Sequence, residues 1–276
     1  MLSKDKIIAI YCMIDDILKG IHHPEDKRRR ISDSEVITTA LASAMFFQGH
    51  HATAIGFMKH HGYIPKMLDC SRFSRRIHQV RDLLSQLLLS FGNYLQEVCC
   101  EMQYILDSFP VPVCDNIRIK RCKLLQGEQW RGYTASMRRY FYGIKVQLLV
   151  TKSGIPVQFC FVPGKQADVK ALSRILTGLP PESSVFADSA YTDYQVEDKL
   201  RIEQFISLKS QRKENSKRPD GKVQEWEKKK MRKRVETSIS DIKKMFPRTI
   251  HAVTFNGFLL KVMLFVFANQ IYRFIN

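Results

Sequence analysis

Apolar residues recur every three or four positions through the first third of the chain, the spacing of one buried helix face. Residues 4–19 follow this spacing. Ser32 and Glu35 then form a capping box, in which two side chains satisfy free backbone N–H groups at a helix start. Two further helices are expected, a short one over residues 54–59 and a long one from residue 71 to about residue 98. The pattern predicts an all-helical region over residues 1–98.

Short apolar runs replace this pattern after Cys99. The predicted strands lie at residues 104–106, 141–150, 157–162, 185–187 and 205–208, and the predicted helices at 167–176, 194–200, 224–246 and 256–274. Residues 151–154 contain a glycine and favour a hairpin between two of the strands. This order predicts an α/β (α+β) fold, a mixed sheet flanked by helices over residues 99–276.

The chain carries a large excess of positive charge. Its 276 residues include 44 Lys and Arg against 27 Asp and Glu, a formal net charge of +17. Such a surface attracts polyanions and releases their counterions on binding. Nucleic acid is therefore the first partner expected, and an acidic membrane surface the second.

No segment is expected to cross a membrane or to direct secretion. The most apolar stretch, residues 259–268, is interrupted by Lys261 and is shorter than the roughly 18 residues that a span needs. The seven cysteines form no CxxC pair, which is typical of reduced thiols. We therefore expect a cytoplasmic, nucleoid-associated protein.

Arginines cluster at the start of the predicted long helix, away from its buried stripe. Arg72, Arg75 and Arg76 all precede the first acidic residue of that helix, Asp82. A short helix followed by this one resembles a helix-turn-helix arrangement, whose second helix enters the DNA major groove. We predict that these three arginines contact DNA; the alternative is a solvated face on a core helix.

A second basic segment covers residues 209–234, with 12 Lys and Arg against 4 Asp and Glu. We interpret it as an insertion that contacts DNA phosphates, with Lys209, Arg212 and Lys213 among the contacting residues. The alternative is a disordered, solvated loop. Trp226 in this segment can stack on an unpaired base or, as we favour, pack on the domain.

Three carboxylates occupy positions that suit catalysis. Asp107 and Asp188 each end a short apolar run, so we expect both at strand ends, where α/β sheets usually carry their chemistry. Glu236 lies on a late helix, and the spacing of Arg232, Glu236 and Lys243 places all three on one face. The alternative for either aspartate alone is a turn or helix cap.

Clustered carboxylates repel one another and need a compensating cation. Oxygen ligands without His or Cys favour Mg²⁺, for which Mn²⁺ can substitute. Two such ions about 4 Å apart can activate an attacking oxygen and stabilise the leaving oxygen of a phosphodiester. The three carboxylates therefore predict two metal ions and a nuclease-like reaction.

Several sequence blocks resemble the DDE transposases of bacterial insertion sequences, most of all insertion-sequence family nine-eight-two. The blocks are Leu106-Asp-Ser-Phe-Pro-Val-Pro-Val-Cys114, Trp130-Arg-Gly-Tyr133, Tyr142-Gly-Ile-Lys145, Ala187-Asp-Ser-Ala-Tyr191 and Arg232-x3-Glu236-x6-Lys243. The first and last are specific, whereas the N-terminal helices match only in pattern.

The resemblance implies a ribonuclease-H-like fold that cuts and rejoins DNA at the terminal inverted repeats of the element. It assigns metal binding to Asp107, Asp188 and Glu236, and contacts with DNA ends or phosphates to Arg232 and Lys243. It also implies that a homodimer assembles on paired ends and acts on target DNA.

Two positions depart from the family pattern. Lys229 stands where a tyrosine often precedes the arginine, and Ser-Ala-Tyr follows Asp188 where Lys-Gly-Tyr is common. Two alternatives therefore stay open: an inactive DNA-binding protein derived from a transposase, and a nuclease without strand transfer. No P-loop or dinucleotide fingerprint is present, so no nucleotide cofactor is expected.

Overall fold

The computed structural model describes residues 4–26, 28–134 and 137–275. The helices are α1 Lys4–Gly20, α2 Asp33–Phe46, α3 His51–His60, α4 Cys70–Gln79, α5 Arg81–Cys99, α6 Leu172–Ile175, α7 Tyr194–Gln204, α8 Lys222–Met245 and α9 Phe255–Phe274. The strands are β1 Gln103–Asp115, β2 Arg131–Thr134, β3 Arg139–Thr151, β4 Pro156–Pro163, β5 Ser184–Ala187 and β6 Ser207–Ser210. Short 3-10 turns cover Asn116–Arg121, Glu128–Trp130, Asp168–Ala171 and Ser189–Tyr191.

The chain folds as two units that are not contiguous in sequence. The helical unit contains Met1–Ser90 and Asp241–Asn276, and the sheet unit contains Phe91–Ser240. The predicted boundary between residues 98 and 99 differs from this division, because α9 returns to pack on α2 in the helical unit. A sequence divided into consecutive segments does not reveal such a return.

The helical unit is built around α2 and α9, in both of which most residues are buried. The predicted capping box is present at the start of α2, where the Ser32 side chain accepts from the backbone N–H of Glu35. By length and composition alone, helix α9 could cross a membrane. The sequence analysis did not expect this, because Lys261 interrupts the most apolar stretch of the chain. Because 72% of its apolar window is buried inside the protein, α9 is a core helix and no membrane span is indicated.

The single long helix predicted from residue 71 is wrong, because two helices meet at Val80. The Val80 backbone N–H caps α4, and α5 begins at the next residue. Val80 is itself buried, as are Ile77 before it and Leu84 after it. The predicted stripe of buried residues is therefore correct. The break at Val80 does not change the spacing of that stripe, so the spacing of apolar residues could not predict it.

The sheet unit confirms the predicted mixed sheet flanked by helices, preceded in the chain by helices. Strands β1, β3 and β4 pair antiparallel, while β5 and β6 continue the sheet in parallel to β1. Strand β2, which the sequence analysis did not predict, pairs with the N-terminal end of β3. One sheet face packs on α6 and α7, where Tyr104, Leu106 and Leu172 belong to one apolar core.

Candidate active site

Asp107 lies within a strand, not at its end as predicted. Strand β1 continues to Asp115 along β3, whereas its parallel pairing with β5 ends at Leu106. The backbone pairs of Met102 with Ser184 and of Gln103 with Lys152 show that even-numbered residues face β5. Pro110 and Pro112 therefore remove no ladder hydrogen bond, because β1 has no partner on that side there. The sequence pattern could not show whether the whole strand ends at Asp107 or only its pairing with β5.

Asp188 does follow its strand, as predicted. Its carboxylate Oδ1 accepts from the Ser189 backbone N–H at 2.7 Å and caps the 3-10 turn Ser189–Tyr191. Leu106 and Ala187 are register partners in the parallel pair, so Asp107 and Asp188 each follow one member of the same pair. The sheet register therefore places the two aspartates side by side.

Helix α8 supplies the third carboxylate to this edge of the sheet. Val235 and Ile239 are buried, whereas the Glu236 side chain is 55% exposed at the boundary of that stripe. Arg232 Nε donates to Glu236 Oε1 at 3.0 Å, and Arg232 Nη1 donates to Asp188 Oδ1 at 3.3 Å. One guanidinium thus joins a residue of the helix to a residue of the sheet, as the shared face predicted.

The environment of Asp107 disfavours its charged form. Burial raises the pKa of this carboxyl to about 6, and the nearby charges of Asp188 and Glu236 add to that effect. The Ser108 backbone N–H and the Arg232 guanidinium act in the opposite direction and only partly offset burial. A shifted carboxyl beside two others is typical of a functional site.

The donor atoms suit a hard divalent cation, since all three side chains are carboxylates. Among the described residues, however, no three His, Cys, Asp or Glu side chains stand close enough to share one ion. A cavity of about 10 Å³ is lined by Asp107, Asp188 and Arg232, the size of a single water. The ligand chemistry therefore fits the predicted cation, while Arg232 supplies the positive charge between Asp188 and Glu236.

A buried lysine that the sequence analysis missed lines the same cavity. Lys228 Nζ donates to both carboxylate oxygens of Asp220, at 2.6 and 2.7 Å, and to the Ser210 carbonyl at 2.8 Å. It stands in a run of three lysines that suggests a solvated surface. Its spacing of three and seven residues before buried Met231 and Val235 was the available signal.

A polar network on the opposite face of the sheet holds the turn after Asp188. The buried Tyr191 hydroxyl donates to Gln147 Oε1, and Gln147 Nε2 donates to Asp168 at 2.6 Å. Lys145 Nζ donates to the same Asp168 oxygen at 2.7 Å. Burial raises the pKa of Tyr191 well above its usual value, so its hydroxyl stays a donor. Lys145 and Tyr191 belong to the sequence blocks that resemble the family, but the sequence analysis gave them no role. In the structure they are part of the network that holds the turn after Asp188.

The basic segment 209–234 contains the last two residues of β6, a loop and the first half of α8. Arg212 is bidentate to Glu197 at 2.7 and 2.6 Å with 10% of its side chain exposed, whereas Lys213 is exposed and Lys209 half-buried. The expected packing of Trp226 is wrong, because this side chain is 64% exposed beside the Lys230 ammonium. DNA contact by Lys209, Arg212 and Lys213 stays a prediction, and Arg212 would have to leave its carboxylate to make one.

Four other predicted residues belong to the helical unit and are not assigned a position relative to the carboxylates. Lys243 lies in the last turn of α8. Arg72, Arg75 and Arg76 lie on α4, which is separated from α3 by the nine residues 61–69. This connection is longer than the three- or four-residue turn of a helix-turn-helix motif.

Comparison with known proteins gives one family match. Residues 99–268 match the family described as transposase DDE domain. A solved structure, "Mos1 transposase paired-end complex with left transposon end", aligns over 79% of this chain and 80% of that chain. Its identity is 11% and its TM-score 0.23, which is too low to add to the argument. A search of curated proteins gave no match.

Proposed function

Because the chain belongs to the transposase DDE domain family, we propose that it cuts DNA at the terminal inverted repeats of its insertion sequence and joins the cut end to target DNA. The observation that supports this most is the pairing of Leu106 with Ala187, which brings Asp107 and Asp188 together, with Arg232 linking Asp188 to Glu236. A DDE transposase needs three carboxylates at one place on the surface of its fold.

Asp107, Asp188 and Glu236 would hold Mg²⁺ or Mn²⁺, two ions per site. When bound, such ions activate the attacking oxygen and stabilise the leaving oxygen of the phosphodiester. Because its pKa is about 6, Asp107 is largely ionised at neutral pH, whereas Arg232 must first release the carboxylates that it bonds. Its guanidinium can then bind two phosphate oxygens of DNA, a geometry that suits arginine.

The proposed DNA contacts are cations of both units. In the sheet unit they are Lys209, Lys213 and Arg212, which must leave Glu197 to bind a phosphate. Lys243 of α8 is a further phosphate contact. In the helical unit they are the arginines of α4. We further propose a cytoplasmic, nucleoid-associated protein that acts as a homodimer on paired ends, since joining two ends requires two sites.

Cleavage of a labelled duplex carrying the terminal repeat tests the proposal, with Mg²⁺ and then Mn²⁺. We expect wild type to cut at the repeat end, and Asp107→Asn and Glu236→Gln to abolish cutting. The matched control is Glu225→Gln, an exposed carboxylate on α8 outside the cluster, which should cut normally.

The other outcomes separate the alternatives. Equal binding without cutting in all four proteins would indicate an inactive DNA-binding protein. Cutting without joined products would indicate a nuclease of the same fold. Cutting that survives both substitutions would refute the assignment of the carboxylates.

A further inference from the structure

Four side chains of α4 share one face and line a cavity in the helical unit. Arg72, Arg75, Arg76 and Gln79 follow the i, i+3, i+4, i+7 spacing of helix neighbours. Arg29 and Arg30, from the segment before α2, line the other side of the cavity, and Ile31 and Leu68 form its apolar part. We name this cavity of about 340 Å³ the arginine cleft. Arg29 and Arg30 lie about 40 residues before α4, so no sequence pattern joined them to it.

A buried carboxylate fixes two of the five guanidinium groups. Asp33 is 1% exposed, and its oxygens accept from Arg29 Nη1 at 2.8 Å and from Arg76 Nη2 at 2.6 Å. His23 Nε2 lies 2.9 Å from the same carboxylate, and Arg76 Nη1 donates to Gln79 at 3.4 Å. Arg29 and Arg76 are therefore held in place at the cleft, which lowers the entropy lost when a ligand binds.

The remaining charge of the cleft is positive and exposed. Arg30 and Arg75 are exposed, and neither makes an ion pair with any carboxylate in the described part of the chain. Arg72 is 63% exposed and pairs with Asp69 at 3.4 Å. In the described part of the chain, the five guanidinium groups thus make ion pairs with only two carboxylates, Asp33 and Asp69, while Glu25 accepts from the Asp33 backbone N–H. An excess of this size favours an anionic ligand.

The chemistry of the lining suits the phosphates of a nucleic acid backbone. Arginine forks bind two phosphate oxygens at once, which is the usual role of an arginine cluster. None of the described residues that line the cleft is aromatic, so the cleft offers a base no surface on which to stack. Arg76 is only 13% exposed and committed to Asp33, so it is poorly placed to read a base edge.

We propose that the arginine cleft binds backbone phosphates of duplex DNA, and that Asp33 is its positioning residue. The inference rests on the proposed function only in taking DNA as the partner. It changes the role predicted for α4, from a helix that reads bases to one that holds DNA in register. Contacts of this kind supply affinity and salt dependence without sequence preference.

Binding of two duplexes of equal length, one with the terminal repeat and one of random sequence, tests this role by fluorescence anisotropy between 50 and 200 mM salt. For the double variant Arg30→Ala/Arg75→Ala we expect the slope of log K against log salt to fall in magnitude by about 1.8, since each lost phosphate contact is worth about 0.9. Wild type should then lose about tenfold more affinity than the variant over this range. Lys59→Ala, an exposed cation on α3 outside the cleft, is the control and should keep the wild-type slope.

Asp33→Asn separates an ordered clamp from simple charge attraction. The substitution makes the protein more positive, so attraction alone predicts tighter DNA binding. Loss of the carboxylate that holds Arg29 and Arg76 predicts weaker binding, by several-fold, to both duplexes. Circular dichroism confirms that the variant is folded, and the surface double variant carries the test if it is not.

Three results would overturn the inference. The first is an unchanged salt slope in Arg30→Ala/Arg75→Ala. The second is a loss of preference for repeat DNA in that variant, which would mean that the cleft reads sequence. The third is DNA binding by folded Asp33→Asn that is as tight as that of wild type or tighter, which would mean that Asp33 does not position the arginines. A wild-type protein that binds DNA with the expected slope but cuts no repeat end would contradict the proposed function and leave the cleft intact.

Discussion

Asp107→Asn should stabilise the metal-free protein at neutral pH. The carboxyl of Asp107 has its ordinary pKa of 3.8 in the unfolded chain and a pKa of about 6 in the fold, because burial disfavours its charge. Folding therefore favours the protonated form. Its contribution to stability is fully present below pH 3.8 and is lost as the pH rises through about 6. Asparagine remains neutral and can still accept the Ser108 N–H, so it avoids this loss.

The size of the effect follows from the two pKa values. Each pKa unit corresponds to about 1.4 kcal/mol, so the interval from 3.8 to about 6 is worth about 3 kcal/mol at pH 7.5. The difference between the variant and wild type should shrink as the pH falls and approach zero below pH 3.8. The pKa of about 6 already includes the effects of Arg232, Asp188 and Glu236 on the Asp107 charge, so the interval is the net effect of the whole environment.

Urea unfolding with a chelator present, at pH 4.5, 6 and 7.5, measures this difference. Both tryptophans, Trp130 and Trp226, lie in the sheet unit, so their fluorescence reports on the unit that contains Asp107. Asp188→Asn is the control, since that side chain is 30% exposed and ion-paired with Arg232; its change should be zero or destabilising. An Asp107→Asn variant no more stable than wild type at pH 7.5, or equally stabilised at every pH, would refute the reasoning.

Three further predictions concern a buried ion pair, a close packing contact and a helix cap. Lys228→Met leaves the nearly buried Asp220 carboxylate without its partner. In urea titrations this variant should have a free energy of unfolding about 3 kcal/mol lower than that of wild type. A decrease below about 1 kcal/mol, the size expected for an exposed ion pair, would contradict a buried pair. Gly92→Ala places a Cβ 2.0 Å from the Val157 carbonyl oxygen, so the variant should be destabilised by several kcal/mol or fail to fold, and a wild-type melting temperature would show that α5 does not approach β4 this closely. Ser32→Ala removes one half of a capping box and should cost about 1 kcal/mol by thermal unfolding, whereas Ser32→Thr should be close to neutral.

Much of the candidate site could be predicted from local sequence. A short apolar run before Asp188 identified a strand end, and helical spacing placed Arg232 and Glu236 on one face; the structure confirms both placements. Asp107 was predicted at a strand end and lies inside a strand, yet it still reaches Asp188. The register of the parallel pair explains this success, because it depends on Leu106 and Ala187 and not on where β1 ends.

Other features do not follow from the local pattern of apolar residues. The break at Val80 preserves the apolar stripe, so no periodicity reveals it. Lys228 is buried because Asp220 and a strand carbonyl lie beside it, and neither is part of the helix that carries the lysine. The return of α9 to the helical unit is likewise a property of tertiary packing.

The same limit applies to the charge that the sequence presents to DNA. The net charge of +17 counts every arginine equally, yet Arg76 and Arg212 are nearly buried and each bonds a carboxylate far away in the chain. Such pairs contribute little to long-range attraction and much to local order. The exposed Arg30 and Arg75 line the same cavity as Arg29 and Arg76, which Asp33 holds in place. For this protein, the arrangement of paired and unpaired cations carries more information about DNA binding than their number does.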